Sequence, residues 1–382
     1  MKRKKLNILF LSSWYPSKAV STLGNFVQRH AEAVATVHNV QVLYITFLDG
    51  IEENFRIEDR KIHGVDTTIV YCKKGFSGWQ GKRIAFKKGI EYLQSRNRFD
   101  IDIVHHNIIW NSGWQARYLH KKFSFPYIIT EHWTGYDKSI RSDQPLFLKA
   151  FSKYVVKNAS IICPVSENLA GVMREYGLSG NYEVVPNVVD TVIFHPGKKS
   201  EEMIHFLHVS TLDDAHKNIS GILRVWKQFS DTVSNVHLTI GGDGPYEHFQ
   251  RMAVEHGIRI ESITFFGEKQ REEIANLMAV SHCLLMFSNY ENLPCVIIEA
   301  MASGMAVIST DVGGIAEHVD SSKGLLLPAR DEKELLKNLH ESVHLISRLK
   351  VLELQDYAIE HFSVKSIAGA FDHVYQSVLL RK

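Results

Sequence analysis

Two carboxylates eight positions apart, Glu291 and Glu299, stand in the most informative run of the chain, residues 288–304. A buried strand over 283–287 ends there in a polar loop, and Pro294 sits where a first helical turn tolerates proline. The loop therefore feeds a helix N-terminus, whose backbone N–H groups favour an anion such as a diphosphate, or a hydroxyl-rich edge. Glu291 belongs to the loop and Glu299 to the helix, at most about 12 Å apart at 1.5 Å per residue. Upstream, the run 206–218 places Lys217 shortly after a strand end. Taken alone, a lysine at a strand end is ordinarily just solvated.

The first half offers a second set. Residues 130–137 follow a buried strand and put His132 at its end, with Glu131 beside it as either an acceptor-orienting base or a structural carboxylate. Gly24 closes the turn 21–24 ahead of a helix over 25–35, where bare backbone can approach a ligand. Of the aromatic residues Trp14, Tyr15, Trp110, Trp114 and Trp133, Trp14 reads as core and Trp133 as a stacking platform. Residues 240–245 suggest a dinucleotide fingerprint, but the third glycine of G-x-G-x-x-G would fall at Glu247, so that reading fails.

What positions these residues is an alternation of short apolar runs with longer amphipathic stretches, the signature of βα units and a parallel sheet. Strands are expected over 6–11, 40–47, 101–105, 127–130, 160–165 and 182–186, with helices over 25–35 and 84–95. A polar, proline-punctuated stretch from Pro186 to Lys198 reads as a linker. A second series follows, with strands over 204–209, 236–240, 263–266, 282–287, 306–310 and 324–327. The expected domains are 1–190 and 196–365, with a last helix over about 366–382 returning to the first. Open sheets bind ligands beyond the carboxyl ends of their strands, so two facing domains would place the function in a cleft.

At 382 residues the chain is long enough for two cores. Four widely spaced cysteines give neither a disulfide framework nor a zinc knuckle, which fits a reducing cytoplasm. The apolar start is too short and too interrupted for a signal peptide, and no run reaches the roughly 18 residues of a membrane span. The net charge of +2 hides an asymmetry: residues 1–195 hold 26 Lys and Arg against 17 acids, and residues 196–382 hold 18 against 25. A basic first half suggests an anionic partner, such as a phospholipid surface or a lipid-diphosphate acceptor; nothing calls for nucleic acid.

The pair Glu291 and Glu299 matches the E-x7-E motif of glycosyltransferase family 4, and the runs 299–304 and 307–317 resemble the same family. So do 165–169 and 184–196. The resemblance implies an α/β GT-B fold, two Rossmann-like domains with parallel sheets facing across a cleft. It implies a retaining transfer from a nucleotide diphosphate sugar to a glycan or lipid-linked acceptor, without metal or other cofactor, in a setting such as bacterial surface polysaccharide synthesis. Residue by residue, Glu291 would contact donor sugar hydroxyls and Glu299 the ribose. Lys217 would neutralise the diphosphate, Asn292 and Leu293 would line the donor site, and Gly267 would lie against the base. His132 would lie beside the donor sugar, and Gly24 would approach the diphosphate or the acceptor. Gly241 to Pro245 would form a structural turn. The chain departs from the family at Ser210 and Thr211, where a glycine and a diphosphate-binding arginine are usual. Arg271, Lys269 and Arg29 are candidates to replace that cation. An epimerase of the same fold, or a degenerate nucleotide-sugar binder, are the alternative readings.

Overall fold

The computed structural model describes residues 4–75, 78–137, 140 and 146–380. It divides the chain into two compact α/β units, one running to Pro186 and resuming at Ile367, the other spanning Asn187–Ser366.

The first unit runs β1 (Asn7–Ser12), α1 (Asn25–Ala35), β2 (Asn39–Leu48), β3 (Phe55–Ile62), β4 (Val65–Lys73), α2 (Gly78–Ser95) and β5 (Ile103–Asn107). It continues with α3 (Trp114–Phe123), β6 (Tyr127–Glu131), α4 (Leu146–Val156), β7 (Ile161–Pro164) and α5 (Glu167–Glu175). Its sheet has the order β3-β4-β2-β1-β5-β6-β7. Strands β5, β6 and β7 are buried throughout, as strands covered by helices on both faces are, and they carry His105, His106, Asn107, Thr130 and Glu131 inside with them. Each of α2, α3 and α4 carries the chain in the same direction across the sheet. Right-handed crossovers therefore set these three on one face and α1, which carries it the other way, on the opposite face.

Two features depart from the sequence expectation. The sheet is not wholly parallel: β3 and β4 form an antiparallel hairpin on its edge, turned by His63 and Gly64 at φ 44° and 86°. The strand expected over 182–186 shrinks to one bridge, Ile162 with Tyr182. Glu183 and Val185 donate to the carbonyls of Ile162 and Pro164, but Pro164 has no N–H to return, so the ladder stops.

The second unit runs β8 (Ile204–Ser210), α6 (Asp214–Lys217), α7 (Ile219–Thr232), β9 (Val236–Gly242), α8 (Tyr246–Glu255), β10 (Ile263–Phe266) and α9 (Arg271–Val280). Then come β11 (Cys283–Leu285), α10 (Cys295–Ala302), β12 (Ala306–Thr310), β13 (Gly324–Leu327), α11 (Glu332–Arg348) and α12 (Val351–Phe362). The sheet order is β10-β9-β8-β11-β12-β13, every neighbouring pair parallel. Phe206, Trp226, Phe229, Leu238 and Ile240 belong to its buried core. The strand order reverses between β8 and β11, and at such a switch point the loops part and leave room for a ligand. In the first unit the reversal falls between β1 and β5.

The last helix, α13 (Val364–Leu380), contributes its residues from Ile367 onward to the first unit. Tyr375 shares a 2.7 Å hydrogen bond with His105 Nδ1, and Asp372 lies 3.2 Å from His38 Nε2.

Candidate active site

At the switch point of the second unit, the loop after β8 and the loop after β11 are tied together. Asn289 N donates to the His216 carbonyl at 2.8 Å, and Asn289 Nδ2 donates to that of Ala215 at 2.8 Å. The His216 ring stacks on Tyr290, centroids 4.1 Å apart and planes within 4°, and its Nε2 meets the Tyr290 carbonyl at 2.7 Å. The two loops thereby bring Lys217 Nζ to 2.5 Å from Glu291 Oε1. The lysine is held by a one-turn helix capped by Asp213, whose side chain accepts from Ala215 N, and ended by Asn218 in the left-handed region. Asn218 in turn caps α7 through Gly221 N, so a single residue stops one helix and starts the next.

The Glu291 side chain is only 8% exposed. Burial alone would raise its carboxyl, but the Lys217 charge and the His216 imidazole 3.5 Å away hold it ionised, down to about 2. The loop is backed by Gly313, whose φ is +63°. A Cβ there would stand 2.3 Å from the Glu291 carbonyl and 2.7 Å from that of Asn292. Gly314 N donates to the Asn292 carbonyl at 2.9 Å, and the buried Leu293 gives its carbonyl to Asn187 Nδ2 at 2.7 Å. Pro294 is the N-cap of α10 rather than its first helical residue, and Glu299 is buried on that helix, 5% exposed.

Gly267 does not join this pair. It follows β10, three strands along the same carboxyl edge, with the Tyr246 ring 3.1 Å from where its Cβ would be. Between them lies the 241–245 turn, whose glycines permit close packing. A Cβ on Gly242 would strike the Ser210 carbonyl at 1.7 Å, and one on Gly244 that of Thr211 at 2.5 Å.

In the first unit, Gly24 and His132 lie on loops joined through Phe26. The Phe26 ring sits 4.4 Å from that of His132 and 6.4 Å, edge on, from Trp14. Gly24, at φ +76°, packs on the backbone of Trp14 and Tyr15, where a Cβ would come within 2.5 Å. His132 is 9% exposed; burial lowers its pKa well below the ordinary histidine value, and His30 and His105 push the same way. The buried Glu131 carboxylate accepts from the N–H groups of Ile109, His132 and Trp133 and from the Tyr136 hydroxyl, at 2.8 to 3.2 Å. Those four bonds make it the clamp of the His132 loop. Trp133 is buried against Tyr136 and Gly135, whereas Trp14 is half-buried, the reverse of the platform and core expected of them.

Sequence reasoning did not single out His216 or His30, which face these sites, because nothing separates them from the chain's other histidines before folding. The role of Gly313 was equally hidden, since only the packed loop shows what its missing Cβ spares.

The family model for glycosyl transferases group 1 matches residues 190–352, and that for Glycosyltransferase Family 4 matches residues 23–192. The chain belongs to glycosyltransferase family 4. An uncharacterized glycosyltransferase of Methanocaldococcus jannaschii is 25% identical over 347 residues, covering 89% of each chain. A phosphatidylinositol N-acetylglucosaminyltransferase component of Arabidopsis thaliana is 23% identical over 57% of this chain, which spans about half (49%) of that relative's length. Among solved structures, sucrose-phosphate synthase of Thermosynechococcus elongatus superposes with a TM-score of 0.79 at 18% identity, covering 98% of this chain and all of that one. HepE of Anabaena, in complex with UDP-glucose, superposes at 0.73 and 16% identity, covering 97% of this chain and all of HepE. These structures share the GT-B fold, and the chain is a glycosyltransferase of that type.

Where the chain departs from the family pattern, Ser210 is built into the turn, while no cation takes the place of the arginine at Thr211 through these contacts. Ser210 Oγ accepts from Leu212 N and bonds His208 Nε2 at 2.8 Å, while His208 Nδ1 meets the Leu285 carbonyl. This network holds the turn in which Leu212 adopts a φ of 53°. Thr211 itself is exposed. The replacement cations are otherwise engaged: Lys269 pairs with Glu273 at 2.8 Å, and Arg271 lies 3.8 Å from Asp190 and 3.9 Å from Glu272. Arg29 belongs to the first unit.

Proposed function

We propose that this family 4 glycosyltransferase is a retaining hexosyltransferase. It takes its sugar from a nucleotide diphosphate donor and passes it to a glycan or lipid-linked acceptor, in the cytoplasm, in bacterial surface polysaccharide synthesis. The observation that carries the reading is the buried Lys217 and Glu291 pair at the switch point of the second unit. An ammonium has three donors and Glu291 takes one, so Lys217 retains two for a diphosphate laid against the start of α10. The fold likeness to HepE, seen with UDP-glucose, supports the donor class. The lipid and glycan names among the relatives support the acceptor class, including alpha-monoglucosyldiacylglycerol synthase of Streptococcus pneumoniae.

In the proposed transfer, the acceptor oxygen bonds to the anomeric carbon on the face that the diphosphate leaves. The bond from that carbon to the phosphate oxygen breaks, and the acceptor proton passes to the departing diphosphate. Lys217 meets the developing charge, with the N–H groups at the start of α10 beside it, and Asn292 and Leu293 of the preceding loop line the donor site. Glu291 orients sugar hydroxyls and Glu299 the ribose, while Gly267 lies against the base. His132, a neutral imidazole, bonds a sugar hydroxyl, and Gly24 lets backbone approach the diphosphate or the acceptor. The transfer is proposed to need no metal, Lys217 and the backbone dipoles taking the diphosphate charge. Time-resolved NMR of the first-formed product tests the stereochemistry: an axial donor should give an axial linkage, and an equatorial one would refute retention.

A further inference from the structure

Helices α2, α3 and α4 lie on one face of the first unit's sheet, and together they hold nine Lys and Arg against a single acid, Glu91. Most of the positive excess of the chain's first half is thus gathered on one side of one unit. The same face presents large apolar side chains to solvent. Trp79 is 57% exposed, Phe147 69% and Tyr154 44%. The three helices are continuous through ring contacts: Trp79 meets Trp114 of α3 edge on at 6.1 Å, and Arg117 of α3 covers Tyr154 of α4 at 4.6 Å and donates to its hydroxyl. On α2, Trp79, Arg83 and Lys87 recur at helical spacing, with the Arg83 guanidinium 4.8 Å over the Trp79 ring.

We propose that this α2, α3 and α4 face docks on an anionic phospholipid surface. Interleaved Lys, Arg, Trp, Phe and Tyr on one helical face match the headgroup boundary, where rings enter and cations stay with lipid phosphates. An acidic protein partner would satisfy the charge but gives no reason for protruding rings without a groove to receive them. Among the described residues no helix is long and apolar enough to cross a membrane, so the contact is one of lying on the surface. The face does not depend on which sugar is moved.

The test is sedimentation of the full chain with vesicles of phosphatidylcholine alone and of phosphatidylcholine with about 30% phosphatidylglycerol, which carry a negative surface potential. Binding should appear only with the anionic vesicles and weaken as salt rises. The variant K87Q/K88Q/K121Q/K122Q should bind more weakly by on the order of a hundredfold or more, each of its four lost charges being worth roughly fivefold. The variant W79A/F147A should also lose binding. Both should keep the wild-type melting temperature and donor hydrolysis in solution, which separates loss of docking from loss of fold or of chemistry. Equal binding to neutral vesicles, no binding, or variants that bind as wild type would each overturn the proposal. So would concentration-dependent dimerisation abolished by W79A/F147A, which would make the face an interface between copies.

Discussion

Lys217 Nζ and Glu291 Oε1 lie 2.5 Å apart although they are 74 residues apart in sequence, because β8 and β11 are neighbours in the sheet. Each buried charge is the other's counter-ion, so the pair has separable structural and catalytic consequences.

Lys217→Ala leaves Glu291 buried without its main partner. The expected cost is about 3 kcal/mol of stability, with donor turnover falling on the order of 100-fold or more. Glu291→Gln keeps the shape, loses the ion pair at a comparable cost in stability, and lowers turnover. In the double variant Lys217→Met with Glu291→Gln, stability recovers relative to Lys217→Ala while activity does not. Chemical denaturation run beside a nucleotide-release assay checks this. Recovery of both properties would place the pair in the scaffold alone.

The depressed Glu291 carboxyl fixes a sign at low pH. Its folded value of about 2 lies below the ordinary 4.5, so its contribution is fully present above 4.5 and disappears as pH falls through 2. The contribution is on the order of 3 kcal/mol. Wild type should therefore lose its stability advantage over Glu291→Gln across that window in acid denaturation. An advantage unchanged at pH 2 would contradict the ion pair.

Buried histidines act earlier in the titration. His30 and His208 are lowered to about 4 and His106 to about 3, chiefly by burial, so the native state holds them neutral. The unfolded chain takes up protons near 6.5. Stability is therefore complete above 6.5 and falls as pH drops toward 4, by up to about 1.4 kcal/mol per pH unit for each histidine. The melting temperature should be flat from pH 8 to 7 and drop steeply between 6 and 5. A curve flat to pH 5 would show these rings already protonated in the fold.

Much of this was legible from residue type and order. The parallel strands announced themselves as Ile and Val runs, and the loop before Pro294 by its punctuation. The β3 and β4 hairpin was harder, because β3 reads as charged sequence. Its Glu, Asp, Arg and Lys are what an edge strand carries to refuse a further neighbour, and only the His63 and Gly64 turn betrays it. The role of Glu131 was open in sequence and is decided by four hydrogen bonds that no spacing predicts. The Lys217 and Glu291 contact was likewise invisible, since sequence gives each residue a loop but not the strand order that joins the loops.

Gly313→Ala should test how rigidly that loop must be held. The new Cβ meets the Glu291 and Asn292 carbonyls in a backbone region that alanine resists, for about 1 to 3 kcal/mol of strain. Donor affinity should fall with little change in overall fold, read by calorimetric titration and circular dichroism. Unchanged affinity would show that the loop adapts.

His132 should contribute no limb near pH 6.5 to the rate profile, since burial keeps it neutral there. His132→Asn should lower turnover without moving the profile. A wild-type inflection near 6.5 that vanishes in the variant would mean that His132 titrates in turnover.

The most direct test of the account is release of nucleotide diphosphate from a panel of UDP, GDP and ADP sugars, with EDTA present, for wild type, Lys217→Ala and Glu291→Gln. Slow release from one donor by wild type, lost in both variants, is the predicted result. If every donor stays intact and none raises the melting temperature, the donor site assigned to Lys217 and Glu291 is contradicted.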